Sequence, residues 1–373
     1  MIFSVVDIVL VFYSWFIKIK NRRNFYIITI LIFTLLGLLV IPTEGMDLQR
    51  HWEMLDIMRT VGYERTKEIY SYSLSNMPVY SFYFYLISKL SFNQILLSIT
   101  YFIVYGTQLM ILWMAKKDFT LTKNEEKLAY MGIICLTNAY ELTGIRNLTA
   151  FAICALFLYL ELIRGRFRIT SWFVYCGLCF FHDSVVAVVV FRLVSFFVSE
   201  KNLNIVMLVV FLWPPLINYI APILTSAFNS IIINNVLDKV FFYSSAEADV
   251  FVSGFSFSLV FFLRMVIILI ALVSIYFWAG NGIYKKWKVI SILILSFCLG
   301  GVFVPAIVVR FIPLAFYMII PFYRVFTLSV DSQILLKNDK AIRKICFSAL
   351  LLFFVAHLLS LIIFQYPYFS LGI

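Results

Sequence analysis

Long apolar runs recur along the whole chain and are separated by short polar segments. A helix needs about 17 to 25 mainly apolar residues to cross a hydrocarbon core of roughly 30 Å, and many of the runs have that length. A helix also satisfies its own backbone hydrogen bonds inside lipid. The pattern therefore predicts an all-α protein, a polytopic transmembrane helix bundle.

The boundaries of the apolar runs place most of the crossings. Spans are predicted near residues 1–17, 25–41, 92–115, 128–145, 147–163, 205–224, 256–278, 289–309, 311–329 and 345–365. Residues 171–198 are predicted to form two short helices or a re-entrant hairpin, broken around His182 and Asp183. Residues 77–90 are predicted to form an interfacial or partly inserted helix, which gives about 12 crossings, uncertain by about two.

Composition agrees with a single integral membrane domain over residues 1–373 and excludes a soluble fold. The hydrophobic fraction is 63% and the charged fraction is 13%, against roughly a quarter charged residues in soluble domains. The net charge of +11 does not indicate nucleic-acid binding, because the basic residues form short clusters between apolar runs and no continuous basic face.

Those clusters report topology, since Lys and Arg are enriched in cytoplasmic loops. The five clusters are Lys18, Lys20, Arg22 and Arg23; Lys116, Lys117, Lys123 and Lys127; Arg164, Arg166 and Arg168; Lys285, Lys286 and Lys288; and Lys337, Lys340, Arg343 and Lys344. With all five inside, the short loops are cytoplasmic and the two long loops, 42–75 and 225–255, are outside. The working surface is therefore predicted on the outer face.

Several ionisable side chains interrupt apolar sequence, and each such residue is costly in a membrane and a candidate for function. Arg146 lies in a polar stretch with Glu141 between two apolar runs. It is a site residue, or else it snorkels to the interface or pairs with Glu141. Asp47, Arg50 and His51 share one face if their segment is helical, as a site or as a solvated face with a local ion pair.

Two further candidates lie at predicted outer turns. His182 and Asp183 interrupt an apolar stretch, where His182 is either a proton carrier or a hydrogen-bonded histidine at a helix break. Arg310 lies between two apolar runs and binds either substrate or lipid headgroups. Arginines with a His and an Asp at one membrane face suit a phosphate-bearing substrate, because one guanidinium group can bind two phosphate oxygens at once.

Other ionisable residues lie inside spans. His357 is interpreted as structural, and Arg192 and Arg264 are left open as site residues, helix-end snorkels or partners of outer acids.

The chain resembles the EpsG family of membrane proteins, relatives of the Wzy polymerases of O-antigen, capsule and exopolysaccharide biosynthesis. The resemblance rests on Asp47-Leu48-Gln49-Arg50-His51, Arg146-Asn147-Leu148-Thr149-Ala150, Phe181-His182-Asp183-Ser184 and Arg310, in order over residues 40–325. Two residues depart from the family pattern. An aromatic is expected at the position of Gln49, and small residues or Pro are common at the position of Asp183. These two differences leave the choice of substrate open.

The resemblance implies a multi-pass protein of the bacterial cytoplasmic (inner) membrane with an outward-facing active site. It implies a glycosyltransferase that joins undecaprenyl-diphosphate-linked oligosaccharide repeat units, with a chain-length regulator and a flippase as partners. Asp47, Arg146, His182 and Arg310 are then the catalytic candidates, with Arg146 and Arg310 on the diphosphate and Asp47 or His182 as the base.

Arg50, His51, Glu141 and Asp183 are the substrate-binding candidates, and no cofactor or obligatory metal is expected. The alternatives are another membrane glycosyltransferase that uses a polyprenyl-linked sugar, a polysaccharide acyltransferase, and a flippase or transporter.

Overall fold

The computed structural model describes residues 2–42, 47–137, 144–227, 255–279, 285–304, 309–326, 337–364 and 370–371. Nearly all of these residues are helical, which confirms the predicted all-α class. Within the described ranges, six helices are long and apolar enough to cross a membrane, and four further apolar helices are shorter. The total of about 12 crossings stays a prediction.

The helices of the N-terminal half are α1 (Ile2–Phe16), α2 (Arg22–Leu39), α3 (Asp47–Val61), α4 (Tyr63–Ile69), α5 (Ser71–Leu74), α6 (Pro78–Ser88), α7 (Gln94–Asp118), α8 (Lys123–Leu136), α9 (Ile145–Leu162) and α10 (Arg168–Cys179). Those of the C-terminal half are α11 (Val185–Phe197), α12 (Leu203–Ala227), α13 (Phe255–Trp278), α14 (Lys285–Gly300), α15 (Ile312–Ile319), α16 (Tyr323–Phe326) and α17 (Lys337–Phe364). Short 3-10 turns cover Gly301–Phe303 and Ile320–Phe322. The two-residue strands β1 (Val40–Ile41) and β2 (Ser370–Leu371) pair antiparallel.

The chain forms two compact units, the first of residues Met1–Val186 and Leu361–Ile373 and the second of Ala187–Ser360. In the first unit, α7 packs against α2 and α9. Gly37 lets α2 approach α7 closely, because a Cβ atom at this position would lie 2.8 Å from the Cα atom of Ser98. Small residues are the usual means of bringing membrane helices together.

One end of the first unit collects basic residues. Lys116 pairs with Glu126 at 2.7 Å, and Arg164 pairs with Asp118 at 2.8 Å. Lys127 donates a hydrogen bond to the carbonyl oxygen of Trp15, just before the turn between α1 and α2. Three of the five basic clusters therefore meet at this end, which we call the basic end of the first unit.

The opposite end of the first unit carries α3 to α6. Asn93, at the start of α7, donates to Asp56 of α3 at 3.1 Å, whereas Asp118 at the far end of α7 belongs to the basic end. The 25 residues of α7 separate these two contacts by roughly 37 Å. The helices α9 and α10 also connect the two ends.

In the second unit, α14 packs against α12 and α13. Arg264 of α13 donates a 2.8 Å hydrogen bond to Nε2 of His357 on α17, and both side chains are buried. His357 thus has an ionisable partner that lies 93 positions away in the chain. Lys285 and Lys286 begin α14, and Arg310 follows the other end of that helix, where the ring of Phe311 packs on Phe297 at 4.9 Å.

The predicted break around His182 is confirmed, because α10 ends at Cys179 and α11 begins at Val185. The backbone amide of His182 donates to the carbonyl oxygen of Leu178 at 2.9 Å, and its Nδ1 accepts from the amide of Ser184 at 3.2 Å. The imidazole thus satisfies an amide that the interrupted helix leaves without its usual acceptor.

Residues 42–75 were expected to be a long outer loop between spans, and most of the described part of this segment is helical. It forms α3, α4 and α5, because Leu48, Met54, Leu55 and Met58 recur at helical spacing and are buried. The predicted helix at 77–90 is present as α6. Its 11 residues span about 16 Å, less than a bilayer core. Most of the loop 225–255 lies outside the described residues.

Some helices start earlier than their apolar runs predicted. The helix α8 begins at Lys123, five residues before its predicted start, because Thr122 and Glu125 form a capping box. The helix α17 begins at Lys337 and so contains the last basic cluster. Basic residues that were expected in loops therefore lie in the first turns of helices.

Candidate functional site

The first turns of α3 bring three predicted site residues together. Arg50 donates a 2.5 Å hydrogen bond to Oδ1 of Asp47, and Nε2 of His51 lies 3.7 Å from Oδ2 of the same carboxylate. These contacts follow the i, i+3 and i+4 spacing that the sequence predicted. Asp47 and Arg50 are exposed, whereas His51 is 1% exposed.

His51 is held in its neutral form. Burial lowers its pKa from 6.5 to about 3, and the nearby Arg146 and Arg50 act in the same direction, while Asp47 opposes the shift. Its Nδ1 atom lies 3.1 Å from the hydroxyl oxygen of Tyr80. Because Asp47 favours a proton on Nε2, the Tyr80 hydroxyl is best assigned as the donor to Nδ1.

Tyr80 of α6 is the centre of the cluster. Its ring lies 5.0 Å from the guanidinium carbon of Arg146, at the start of α9, in a cation–π arrangement. Its hydroxyl contacts His51, and the side chain is fully buried. Tyr80 therefore links α3, α6 and α9 through a single side chain.

The same residue meets the turn that holds His182. The amide of Tyr80 donates to the carbonyl oxygen of Phe180 at 3.5 Å, and its ring packs on Phe181 with centroids 5.7 Å apart. The turn between α10 and α11 is therefore next to α6, and His182 and Asp183, both half-buried, belong to the same end of the first unit as Arg146.

A pocket of about 280 Å³ opens in this cluster. It is lined by Arg50, His51, Met54, Ile69, Tyr70, Ser71 and Arg146. Two arginines, Tyr70 and Ser71 thus line one small volume, and much of its wall is apolar. The volume is just below the range of about 300 to 1,000 Å³ typical of pockets for drug-sized ligands, so it suits a headgroup better than a whole oligosaccharide.

Arg146 differs from the other arginines at this end of the unit. Arg50, Arg59 and Arg65 each form an ion pair with a carboxylate on their own helix. Among the described residues, the half-buried Arg146 has no carboxylate partner, and its cationic head is supported by the ring of Tyr80. Such a guanidinium can accept an anion, because no carboxylate in the described part of the chain is paired with it.

Not every predicted site residue can be placed in this cluster. Arg310 is described in the second unit, half-buried in the turn before α15. Glu141, the other proposed partner of Arg146, lies outside the described residues.

Sequence reasoning missed Tyr80, Tyr70 and Ser71. Tyr80 lies in an aromatic-rich segment, in which one tyrosine resembles any other core residue. Its periodic position was the available signal, since Tyr80, Phe84 and Ile87 form the buried face of α6.

The chain was compared with protein-family models, curated proteins and solved structures, and no match was found in any of the three. The fold and the site define an α-helical membrane protein with a small cationic pocket at one end of its first unit.

Proposed function

We propose that this protein polymerises undecaprenyl-diphosphate-linked oligosaccharide repeat units into a surface polysaccharide at the outer face of the bacterial cytoplasmic membrane. The growing glycan moves from its lipid diphosphate to a hydroxyl of the next lipid-linked unit. The resemblance to the EpsG family suggests this reaction, and the pocket supplies the chemistry that it needs.

The observation that carries the proposal is the pairing of Arg146 with Arg50 in one pocket. In the reaction, the bond between the anomeric carbon and the diphosphate breaks, and the departing diphosphate keeps the electron pair. Two guanidinium groups stabilise the charge that develops on that leaving group. Arg146 makes no internal ion pair among the described residues, which supports its assignment to the diphosphate.

This assignment moves Arg50 from a sugar-binding role to the leaving group beside Arg146. His51 then has a supporting, structural role in the site, since it is almost completely buried. Tyr70 and Ser71 supply hydroxyl groups for hydrogen bonds to the first sugar.

Asp47 is our choice for the general base that takes the proton of the acceptor hydroxyl. His51 is unsuited to that role, because it is buried and neutral, with a pKa lowered to about 3. Nδ1 of His182 accepts a backbone hydrogen bond from Ser184, so this atom is already occupied and is a poor choice for the base. The exposed Asp47 carboxylate, which also accepts a hydrogen bond from Arg50, is therefore assigned as the base, and His182 remains a candidate for contact with substrate.

An outward orientation follows from applying the positive-inside rule to the first unit. Three basic clusters meet at its basic end, and the pocket lies at the other end. With the basic end in the cytoplasm, the pocket faces the outer side of the membrane, where the proposal puts the joining of repeat units. Arg310 remains our second diphosphate candidate, and Glu141 and Asp183 remain substrate-binding candidates.

The test is complementation of a gene deletion in the protein's own host, read as a gel of lipid-linked and surface polysaccharide. We expect the deletion to leave a single lipid-linked repeat unit, and wild type to restore the ladder. Arg146→Ala should fail to restore it, whereas Arg65→Ala, which removes an exposed Arg of α4, should succeed. A normal ladder with Arg146→Ala at normal expression would overturn the site, and an intact ladder with an altered sugar or a missing acyl group in the deletion strain would overturn the reaction.

A further inference from the structure

The turn between α9 and α10 alternates cations with exposed apolar side chains. It runs Arg166-Phe167-Arg168-Ile169, and Phe167 and Ile169 are 58% and 76% exposed. We call these four residues the 166–169 turn. Gly165, with a φ angle of +63°, turns the chain just before it, and the amide of Arg166 donates to the carbonyl oxygen of Leu160 at 3.0 Å.

The exposed apolar surface of this turn continues along α10. Ile169, Phe173, Cys176 and Phe180 follow i, i+4, i+7 and i+11 spacing, so they share one face, and all four are exposed. In a chain that spans a membrane, such a face lies against hydrocarbon. The cations of the 166–169 turn lie where the face begins, which is the level at which hydrocarbon gives way to headgroups.

The acidic side chains described at the basic end of the first unit do not neutralise these cations. Each is buried or half-buried and bonded to other groups of the protein: Asp118, Glu125, Glu126 and Glu161. Arg166 and Arg168 are exposed and form no ion pair within the described ranges. Further exposed cations add to the positive charge of this end: Lys18, Lys20, Arg23, Lys117 and Lys123.

Phe167 is held in a conformation that its residue type disfavours. Its φ angle is +56°, in the left-handed region, which is costly for a bulky side chain and is tolerated by Asn and Gly. It precedes α10 without a capping hydrogen bond from its side chain, and more than half of that side chain is exposed. The fold itself therefore gains little from a phenylalanine here, which indicates a contact outside the chain.

We propose that the 166–169 turn binds an anionic phospholipid, with Arg166 and Arg168 on the headgroup phosphate and Phe167 and Ile169 against its acyl chains. Positive charge that no internal acid neutralises matches an anionic head, and the apolar face that begins in the same turn matches a hydrocarbon tail. A guanidinium group can bind two phosphate oxygens at once. The inference goes beyond the proposed function, because it concerns the opposite end of the first unit and holds for any reaction at the pocket.

The first experiment titrates the purified full chain in detergent with dioleoylphosphatidylglycerol and obtains an apparent affinity from the rise in melting temperature. One double variant, Arg166→Gln with Arg168→Gln, removes both cations of the turn. The control, Arg65→Gln with Lys89→Gln, removes two exposed cations at the other end of the unit. We expect the first variant to bind about 10- to 30-fold more weakly and the control to bind like wild type. Unchanged affinity in the first variant, or an equal loss in the control, would overturn the proposal.

Other occupants are tested in the same assay. Dioleoylphosphatidylcholine, inorganic phosphate and polyglutamate replace phosphatidylglycerol in turn, and each should raise the melting temperature of wild type less. Equal stabilisation by phosphatidylcholine would show that acyl chains alone bind, and equal stabilisation by phosphate would show a site for free anions. Stabilisation by polyglutamate but not by phosphatidylglycerol would assign the surface to an acidic protein. Each of these three results would overturn the proposal.

The second experiment separates lipid contact from folding. Phe167→Asn is compared with Thr120→Asn, because Thr120 is also exposed at this end, with a φ angle of +51°. Both variants should be at least as stable as wild type without lipid, since Asn tolerates the left-handed conformation. Phe167→Asn should nevertheless bind phosphatidylglycerol about fivefold more weakly, whereas Thr120→Asn should bind it normally. A Phe167→Asn variant that is less stable without lipid and binds lipid normally would assign the ring to the fold and overturn the proposal.

Discussion

At the scale of single residues, two contacts of Tyr80 can be separated by mutation: the ring contact with Arg146 and the hydroxyl contact with His51. Tyr80→Phe keeps the ring under Arg146 and removes the hydroxyl that bonds His51, whereas Tyr80→Leu removes both. Cation–π support is worth about 0.5 to 2 kcal/mol, so Tyr80→Leu should weaken pyrophosphate binding by roughly 2- to 30-fold.

Tyr80→Phe should retain that affinity and instead lower the free energy of unfolding by about 1 kcal/mol, because buried Nδ1 of His51 loses its donor. The measurements are pyrophosphate titration and thermal unfolding of both variants in one detergent. Equal affinity in Tyr80→Leu and wild type would show that the ring does not support Arg146.

His51 gives a pH dependence with a defined sign. Its pKa is near 6.5 in the unfolded chain and about 3 in the folded one, so between these values only the unfolded state binds the proton. Stability should therefore be complete above pH 6.5 and fall as the pH drops toward 3.

Thermal unfolding of wild type and His51→Gln at pH 7.5 and pH 5 checks this expectation. The drop in melting temperature on acidification should be smaller in His51→Gln than in wild type. An identical drop in wild type and His51→Gln would contradict the assignment of a buried, neutral His51.

Much of the site was predictable at this scale, because polar residues stand out in an apolar sequence. Asp47, Arg50 and His51 could be grouped from their spacing alone, and the structure brings them together. Tyr80 could not be singled out, since its role depends on Arg146, which lies 66 positions further along the chain. The contact between Arg264 and His357 could not be predicted either, because these residues lie 93 positions apart in the chain.

At the scale of helices, the close approach of α2 and α7 is a direct test of packing in the first unit. Gly37→Ala places a Cβ atom 2.8 Å from the Cα atom of Ser98, so the two backbones must separate. Overpacking of this kind costs about 1 to 3 kcal/mol.

Gly106→Ala in α7 is the matched control, because a Cβ atom there meets nothing within 4 Å. It should be neutral or stabilise the helix by up to about 1 kcal/mol. Melting temperatures of the two purified variants provide the comparison, and a Gly37→Ala variant as stable as Gly106→Ala would show that α2 and α7 are not packed this closely.

Most helices were predictable within a few residues from the apolar runs, and so was the break at His182. The helix ends were less predictable where capping groups decide them, as Thr122 and Glu125 do at α8. The full length of α3 and the presence of α4 and α5 were not predicted, because a mixed-charge segment resembles an external loop until its buried residues are identified.

At the scale of the whole molecule, the prediction with the widest reach concerns orientation. Ser75, after α5, and Asn124, in the first turn of α8, are both exposed and lie at opposite ends of the first unit. In a background without the native cysteines, a membrane-impermeant maleimide added to whole cells should label Ser75→Cys and spare Asn124→Cys.

Labelling of Asn124→Cys alone would show that the orientation is the reverse of the one predicted, with the pocket on the cytoplasmic side. The sequence predicted this orientation from its five basic clusters, and three of the five meet at one end of the first unit. The division into two compact units left no local signal in the sequence, because it depends on contacts between distant segments.

The most direct test of polymerisation uses the purified full chain in nanodiscs, supplied only with a lipid-linked oligosaccharide repeat unit. We predict a ladder of glycan lengths with release of polyprenyl diphosphate and without any added nucleotide sugar, and we predict no ladder from Arg146→Ala. A substrate that stays a single repeat unit with active wild-type protein, or that gains one sugar only when a polyprenyl-phosphate sugar is added, would contradict the account.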